Sequence, residues 1–366
     1  MQSMILALAL CAGLSAQSQT PTPAPIPAPA PNPFQATAGD PHRDARETHL
    51  RNVAQLTHEG SNAEAYWSFG GKRIVFQSTR DGASCDQLYT MNPDGSDVRR
   101  VSNGKGRVTC GYFLPGDDRI LYASTHGSGD ECPPAPPFTP GTYRWPVFPS
   151  YELYVAKADG SGAKPFLPSP GYDAEATVAP NGKWLVFTSE RSGDIDLWRA
   201  DLDGSHLLRL TKEVGYDGGG VFSNDSKLIA WRTNYPKGKD AVTRYRQLLK
   251  EHLVEPMAMD IWVMDADGRH KRQVTHLKGA AFAPIFAPGD KAIVFASNHH
   301  DREGQGRTFD LFRINLDGSG LEQLTFTGNF NSFPHFSADG RRLLFVSGRD
   351  AKSPRQFNVF CADWVN

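Results

Sequence analysis

The chain has 366 residues, enough for one large domain or two ordinary ones, and its 39% hydrophobic and 22% charged content is that of a folded protein. A formal net charge of −1 excludes a polycation built to neutralise phosphates, so nucleic acid is not an expected partner. With 35 glycines and 27 prolines, the composition favours many short strands joined by tight turns over long helices.

Met4 to Leu14 form a short apolar run followed by mostly small residues up to Ser18. The run is too short to span a bilayer and predicts a secretory signal peptide over residues 1–18, although Met1-Gln2-Ser3 carries no basic side chain. Leu10 before Cys11 is not the small residue that a lipid anchor needs. Residues 19–48 read as a linker. Within it, Thr20 to Pro33 has proline at nearly every second position, an extended and solvated spacer. A periplasmic or secreted protein without a transmembrane segment is expected.

From residue 49 onward a repeat dominates. A residue, an aliphatic seven positions on and an aromatic nine positions on recur as Trp67/Ile74/Phe76, Phe113/Ile120/Tyr122, Val178/Leu185/Phe187, Phe222/Ile229/Trp231, Phe286/Ile293/Phe295 and Phe336/Leu343/Phe345. Turn formers such as Gly70-Gly71 and Asn181-Gly182 lie between the first two positions, so each copy is a β-hairpin. A second hairpin follows the first five copies, always with Asp-Gly at its turn: Asp94-Gly95, Asp159-Gly160, Asp203-Gly204, Asp267-Gly268 and Asp317-Gly318. Asp-Gly suits a two-residue turn in which both central residues have positive φ. Two hairpins make a four-stranded blade.

The sixth copy lacks its outer strand after Val359–Trp364, and a spare one stands at the other end, Val53-Ala54-Gln55-Leu56-Thr57. The expected fold is all-β: a six-bladed β-propeller over residues 49–366, with the N-terminal strand closing the last blade.

Val178-Ala179-Pro180-Asn181-Gly182-Lys183, followed by Ser189-Glu190-Arg191-Ser192-Gly193-Asp194 and Asp203-Gly204, resembles the TolB-type propeller repeat, which also occurs in propellers of the prolyl oligopeptidase family. The resemblance spans about residues 49 to 366 and implies the fold rather than a function. TolB itself carries an N-terminal α/β domain before its propeller, where this chain has a proline-rich linker. The hydrolase domain that follows a peptidase propeller is not expected here, and no G-x-S-x-G, H-E-x-x-H, C-x-x-C or P-loop motif occurs.

Length variation marks one face of the ring. Successive Asp-Gly turns lie 65, 44, 64 and 50 residues apart, which leaves long insertions in blades two (126–150) and four (234–257). In the second insertion, Val242, Tyr245, Leu248, Leu249 and Leu253 at helical spacing predict an amphipathic helix packed on the rim. At the start of the innermost strands, equivalent positions supply Asn62, Glu64, Asp173, Glu175 and Asp217. Glu64, Asp173, Glu175 and Asp217 are read as lining the channel mouth, where a cation such as calcium or a cationic peptide end would fit, or else as caps of the blade starts. At the end of the second strand the repeat has Arg80, Arg191 and Arg349, but His126 and His299 in blades two and five. These two histidines are candidate ligand-binding or acid/base groups. Their blades lie opposite one another, so they are not expected to share a metal, and no cofactor is otherwise implied.

Cys361 reads as a buried free thiol. Cys85, Cys110 and Cys132 map to one face of blades one and two, and a Cys110–Cys132 disulfide is expected, with Cys85–Cys110 as the alternative. The functional expectation is a monomeric, exported scaffold rather than an enzyme. It would bind an envelope or secreted protein, a peptide or a glycan through its loop-bearing face and channel mouth. The alternatives are a lyase or hydrolase acting on a saccharide, and an accessory propeller controlling access to a separately encoded peptidase.

Overall fold

The computed structural model describes residues 40–136, 143–301 and 306–366. The predicted signal peptide and most of the linker, residues 1–39, lie outside the described residues. Six four-stranded antiparallel sheets succeed one another along the chain. Their innermost strands are Ser61–Trp67, Val108–Phe113, Asp173–Val178, Tyr216–Phe222, Ala281–Phe286 and Asn331–Phe336. The aromatic at the last position of each triad (Phe76, Tyr122, Phe187, Trp231, Phe295, Phe345) is at most 2% exposed. It sits on the second strand of its blade and anchors that sheet in the apolar layers between sheets. The fourth strands of blades one to five are only two residues long, as in Arg99–Arg100 and Lys164–Pro165. Short, charged edges of this kind resist edge-to-edge pairing.

The Asp-Gly turns differ from the expectation in one respect. Only the glycines are left-handed, with φ of 84° at Gly95, 85° at Gly160, 86° at Gly204, 89° at Gly268 and 84° at Gly318. In blade one the Gly95 N–H donates to Asn92 O, and the Asn92 N–H to Ser96 O. That is a three-residue loop with its glycine at the left-handed position rather than a two-residue turn. The Asp94 carboxylate accepts the Ser96 N–H at 2.9 Å, which explains why aspartate precedes the glycine.

The ring closes as the spare strand predicted. Leu50–Gln55 runs antiparallel to Asn358–Trp364, with Leu50 opposite Trp364 and Gln55 opposite Phe360. Residues 40–48, read as linker, also pack against blade six. The fully buried Glu47 accepts from Arg349 Nη1 at 3.1 Å and Nη2 at 2.8 Å, and from the Phe326 N–H at 3.2 Å.

The two insertions meet. Blade four's contains the expected helix, α1 (Lys239–Lys250), which buries Leu248 and Leu249. After it, Leu253–Val254 pairs with Trp145–Pro146 of blade two's insertion. Glu255 ties both sides, accepting from Arg144 at 3.3 Å and from Arg244 at 2.9 Å. No helix among the described residues is long and apolar enough to cross a membrane.

The disulfide joins Cys85 to Cys132, with Cα atoms 6.0 Å apart. Neither the expected Cys110–Cys132 bridge nor the Cys85–Cys110 alternative forms. Cys110 lies in an innermost strand and lines the channel as a buried free thiol, while Cys85 sits outside the ring of inner strands and meets the blade-two loop. Cys361 is the buried free thiol expected.

Candidate functional site: the central channel

Every innermost strand breaks register at the same place. The shifts fall between Ala63 and Tyr66, Thr109 and Tyr112, Ala174 and Thr177, Gly218 and Val221, Phe282 and Ile285, and Ser332 and His335. The bulged residues are left-handed: Glu64 (φ 49°), Cys110 (52°), Glu175 (57°), Gly219 (60°), Ala283 (49°) and Phe333 (52°). A bulge re-aims its side chain, and a left-handed non-glycine residue costs energy that the surrounding sheet must hold. Here the strain is repeated around the ring, and all six residues line one central cavity of about 330 Å³. The cavity extends to Phe69, Pro180, Asn224 and Ser337, where the innermost strands turn into their hairpins. On the opposite side Trp145, from the blade-two insertion, lies 5.3 Å from the Arg232 guanidinium and packs edge-on against Phe282.

Gly219 has no side chain to offer, and Arg232 from the neighbouring strand fills its place. A Cβ at Gly219 would meet Arg232 Nη1 at 2.2 Å. Arg232 pairs with Glu175 and donates to the Tyr216 hydroxyl at 2.7 Å. Glu175 also accepts from Thr188 Oγ1 at 2.8 Å and from the Gly219 N–H at 3.0 Å. This carboxylate is saturated.

Glu64 is different. The Tyr66 hydroxyl approaches it only at 3.4 Å. Burial, reinforced by repulsion from Glu175, pushes its carboxyl up to about 7, against the pull of the Cys110 thiol hydrogen bond.

Beside it, His335 Nδ1 accepts the Trp67 N–H at 3.1 Å, so the neutral ring carries its proton on Nε2, which donates to the Tyr112 oxygen at 3.1 Å. The Tyr112 proton is thereby left for another acceptor. Burial holds His335 down at about 3, so it stays neutral.

Of the six residues predicted as a binding set, only Glu64 and Glu175 reach this cavity. Asp173 and Asp217 are fully buried within their blades. Asp173 accepts from Arg191 at 3.0 Å and Ser169 at 2.7 Å, and Asp217 from Trp231 Nε1 at 2.7 Å and the Tyr235 hydroxyl at 2.8 Å.

His126 packs on Tyr154 with ring centroids 4.1 Å apart, and His299 on Phe312 at 4.5 Å. Each histidine bonds the serine two residues before it, Ser124 or Ser297, and neither lines the cavity. Arg232, Cys110, Tyr112 and His335 escaped the sequence reading. The signal for Cys110 was present, because it stands three residues before its repeat position as Glu64 and Glu175 do.

No protein-family model matches the chain. Over 217 residues it is 23% identical to the Tol-Pal system protein TolB of Helicobacter pylori, covering 58% of this chain and 44% of that protein. The chain thus spans less than half the length of the curated relatives it matches first. Among solved structures it is similar to TolB from Acinetobacter baumannii, with a TM-score of 0.55 at 18% identity over 76% of this chain and 58% of that one. It is also similar to XC5397, a gluconolactonase of Xanthomonas campestris, with a TM-score of 0.56 at 14% identity over 88% of this chain and 93% of that one. At these identities the two structures share a fold with this chain, and the fold serves proteins of different activity.

Proposed function

Since the chain belongs to the TolB-like β-propellers, we propose that it is an exported binding protein that holds part of a partner in its central channel. The observation carrying this reading is the ring of six left-handed bulges, five of them at non-glycine residues, that line one cavity. In blades one, two and three the bulge brings Glu64, Cys110 and Glu175 to that cavity. The long loops form the face expected to bind, but there the joined insertions bring Trp145 against Arg232 and Phe282, so entry is proposed from the opposite, hairpin-turn face. An envelope or secreted protein, a peptide or a glycan fits this reading, with the propeller acting as a monomer. Export is supported by the N-terminal apolar run and by the Cys85–Cys132 bridge, which suits an oxidising compartment. The alternative, a saccharide-active lyase or hydrolase using His126, His299 and the channel carboxylates, draws less support, because neither histidine lines the cavity with Glu64 and Glu175.

The test is a channel filled by mutation. Phe333 already holds a large side chain in the left-handed conformation that Ala283 adopts, so Ala283→Trp is compatible with the backbone. Partners captured from an envelope extract by the mature protein should be lost with Ala283→Trp at an unchanged melting temperature. Capture that survives the filled channel would place binding on an outer face instead.

A further inference from the structure

The channel reading leaves the chemistry of the ligand open, and one corner of the cavity narrows it. Glu64 is the channel carboxylate with acceptor capacity to spare, since its partners are only the Cys110 thiol and the Tyr66 hydroxyl at 3.4 Å, while Glu175 is fully engaged. Aromatic rings gather beside it. Tyr66 and Tyr112 have centroids 5.6 Å apart, Phe69 meets Tyr112 edge-on at 6.5 Å, and all three line the cavity with Glu64. A carboxylate and aromatic rings lining the same cavity are the groups that stabilise an organic cation, the one by charge and the others by their quadrupoles.

The charges facing this corner do not oppose it. Arg232 is neutralised by Glu175 and held by Tyr216. His335 is neutral because its Nδ1 accepts a backbone proton, and burial keeps the Cys110 thiol protonated. Across the ring, Gly219, Ala283 and Phe333 present no charge to the rest of a ligand. Calcium takes six to eight oxygens, and the open oxygens here are those of one carboxylate.

Resting on the channel reading, we propose that this corner receives an organic ammonium group, primary or quaternary, carried on an uncharged body. Two sources share that chemistry: a choline-like group and a lysine side chain.

The experiment is calorimetric titration of the mature chain with choline, benzyltrimethylammonium, Nα-acetyl-lysine amide and 3,3-dimethylbutan-1-ol, the uncharged isostere of choline. The ammonium compounds should bind and the alcohol should not, and the tighter of choline and the lysine amide identifies the source. Glu64 must be ionised, so affinity should fall about tenfold for each pH unit below its raised pKa. Glu64→Gln should abolish both the binding and its pH dependence. Tyr112→Leu, which keeps the carboxylate, should weaken the ammonium compounds roughly tenfold. Equal binding of the alcohol, no binding of any ammonium compound, or an ammonium affinity unaltered in Glu64→Gln would overturn the inference. None of those results touches the channel reading, which stands or falls on capture by Ala283→Trp.

Discussion

Gly219 has a left-handed φ of +60°, and a Cβ there would lie 2.2 Å from Arg232 Nη1. The space it leaves is what lets a second-strand arginine pass between blades to Glu175. Gly219→Ala should therefore act through the ion pair: Arg232 is displaced and both charges stay buried with worse partners. Breaking a buried pair costs on the order of 3–5 kcal/mol, and urea unfolding should show a loss near the lower end, since the guanidinium is a flexible tip. In an Arg232→Met/Glu175→Gln background the same substitution should cost much less, and an equal cost in both backgrounds would mean that backbone strain is responsible. The residue scale also explains why the site was half legible. Simple alternation puts Asp173 and Glu175 on one face. The bulge between Ala174 and Thr177 inserts a residue and separates them, so Glu175 enters the channel and Asp173 enters the blade. No glycine or asparagine marks the bulge at Glu64, Cys110, Ala283 or Phe333, so alternation was the only guide to direction.

At the scale of the blade, the residue ending the second strand and the residue beginning the first are coupled. Arg80 donates to Asn62 at 3.0 Å, Arg191 to Asp173 at 3.0 Å, Tyr235 to Asp217 at 2.8 Å and Arg349 to Asn331 at 3.4 Å. In blades two and five the first-strand residue is Val108 or Ala281, which accepts nothing, and the partner position is His126 or His299. The histidines keep the packing on Tyr154 or Phe312 and the serine bond without bringing a cation that would have no acceptor. His126→Arg alone should destabilise blade two, and Val108→Asn alone should do so as well. Together they rebuild the pair of blade one, and a double-mutant cycle should return a favourable coupling of about 0.5–3 kcal/mol. Additive losses would show that the two positions do not communicate.

A covalent staple joins blades one and two. Cys85 and Cys132 are 47 residues apart in sequence, and a loop of that size is worth up to about 4 kcal/mol in the chain-entropy description. Cys85→Ser/Cys132→Ser should lower the urea midpoint accordingly, while Cys361, buried away from the channel, should resist alkylation in the native protein. The pairing itself was out of reach from sequence. Three cysteines map to one region, and although the repeat puts Cys110 in an inner strand, only the bulge between Thr109 and Tyr112 shows that its side chain turns into the channel, away from the other two.

For the molecule as a whole, the count of blades and the closing strand were legible because each rests on a periodic apolar signal that recurs six times. The segment from Asp40 to Thr48 carries no such signal and read as linker, yet it supplies Glu47, whose carboxylate meets Arg349 where both side chains are at most 1% exposed. The ring is therefore shut twice, by a ladder of backbone hydrogen bonds and by an ion pair one turn of chain before it. The two contributions separate by mutation. Glu47→Gln in the full chain leaves the strand in place and Arg349 charged, so it should cost about 3–5 kcal/mol without changing solubility. Deletion through Thr57 removes Glu47 together with Leu50–Gln55 and bares the strand Asn358–Trp364 as an unpaired edge. That variant should lose more stability than Glu47→Gln and should self-associate on size-exclusion chromatography. Deletion through Pro33 should leave the melting temperature of the mature chain unaltered. If the long deletion melts with the full chain and stays monomeric, blade six holds its edge without the N-terminal strand, and closure contributes nothing to the stability of the ring.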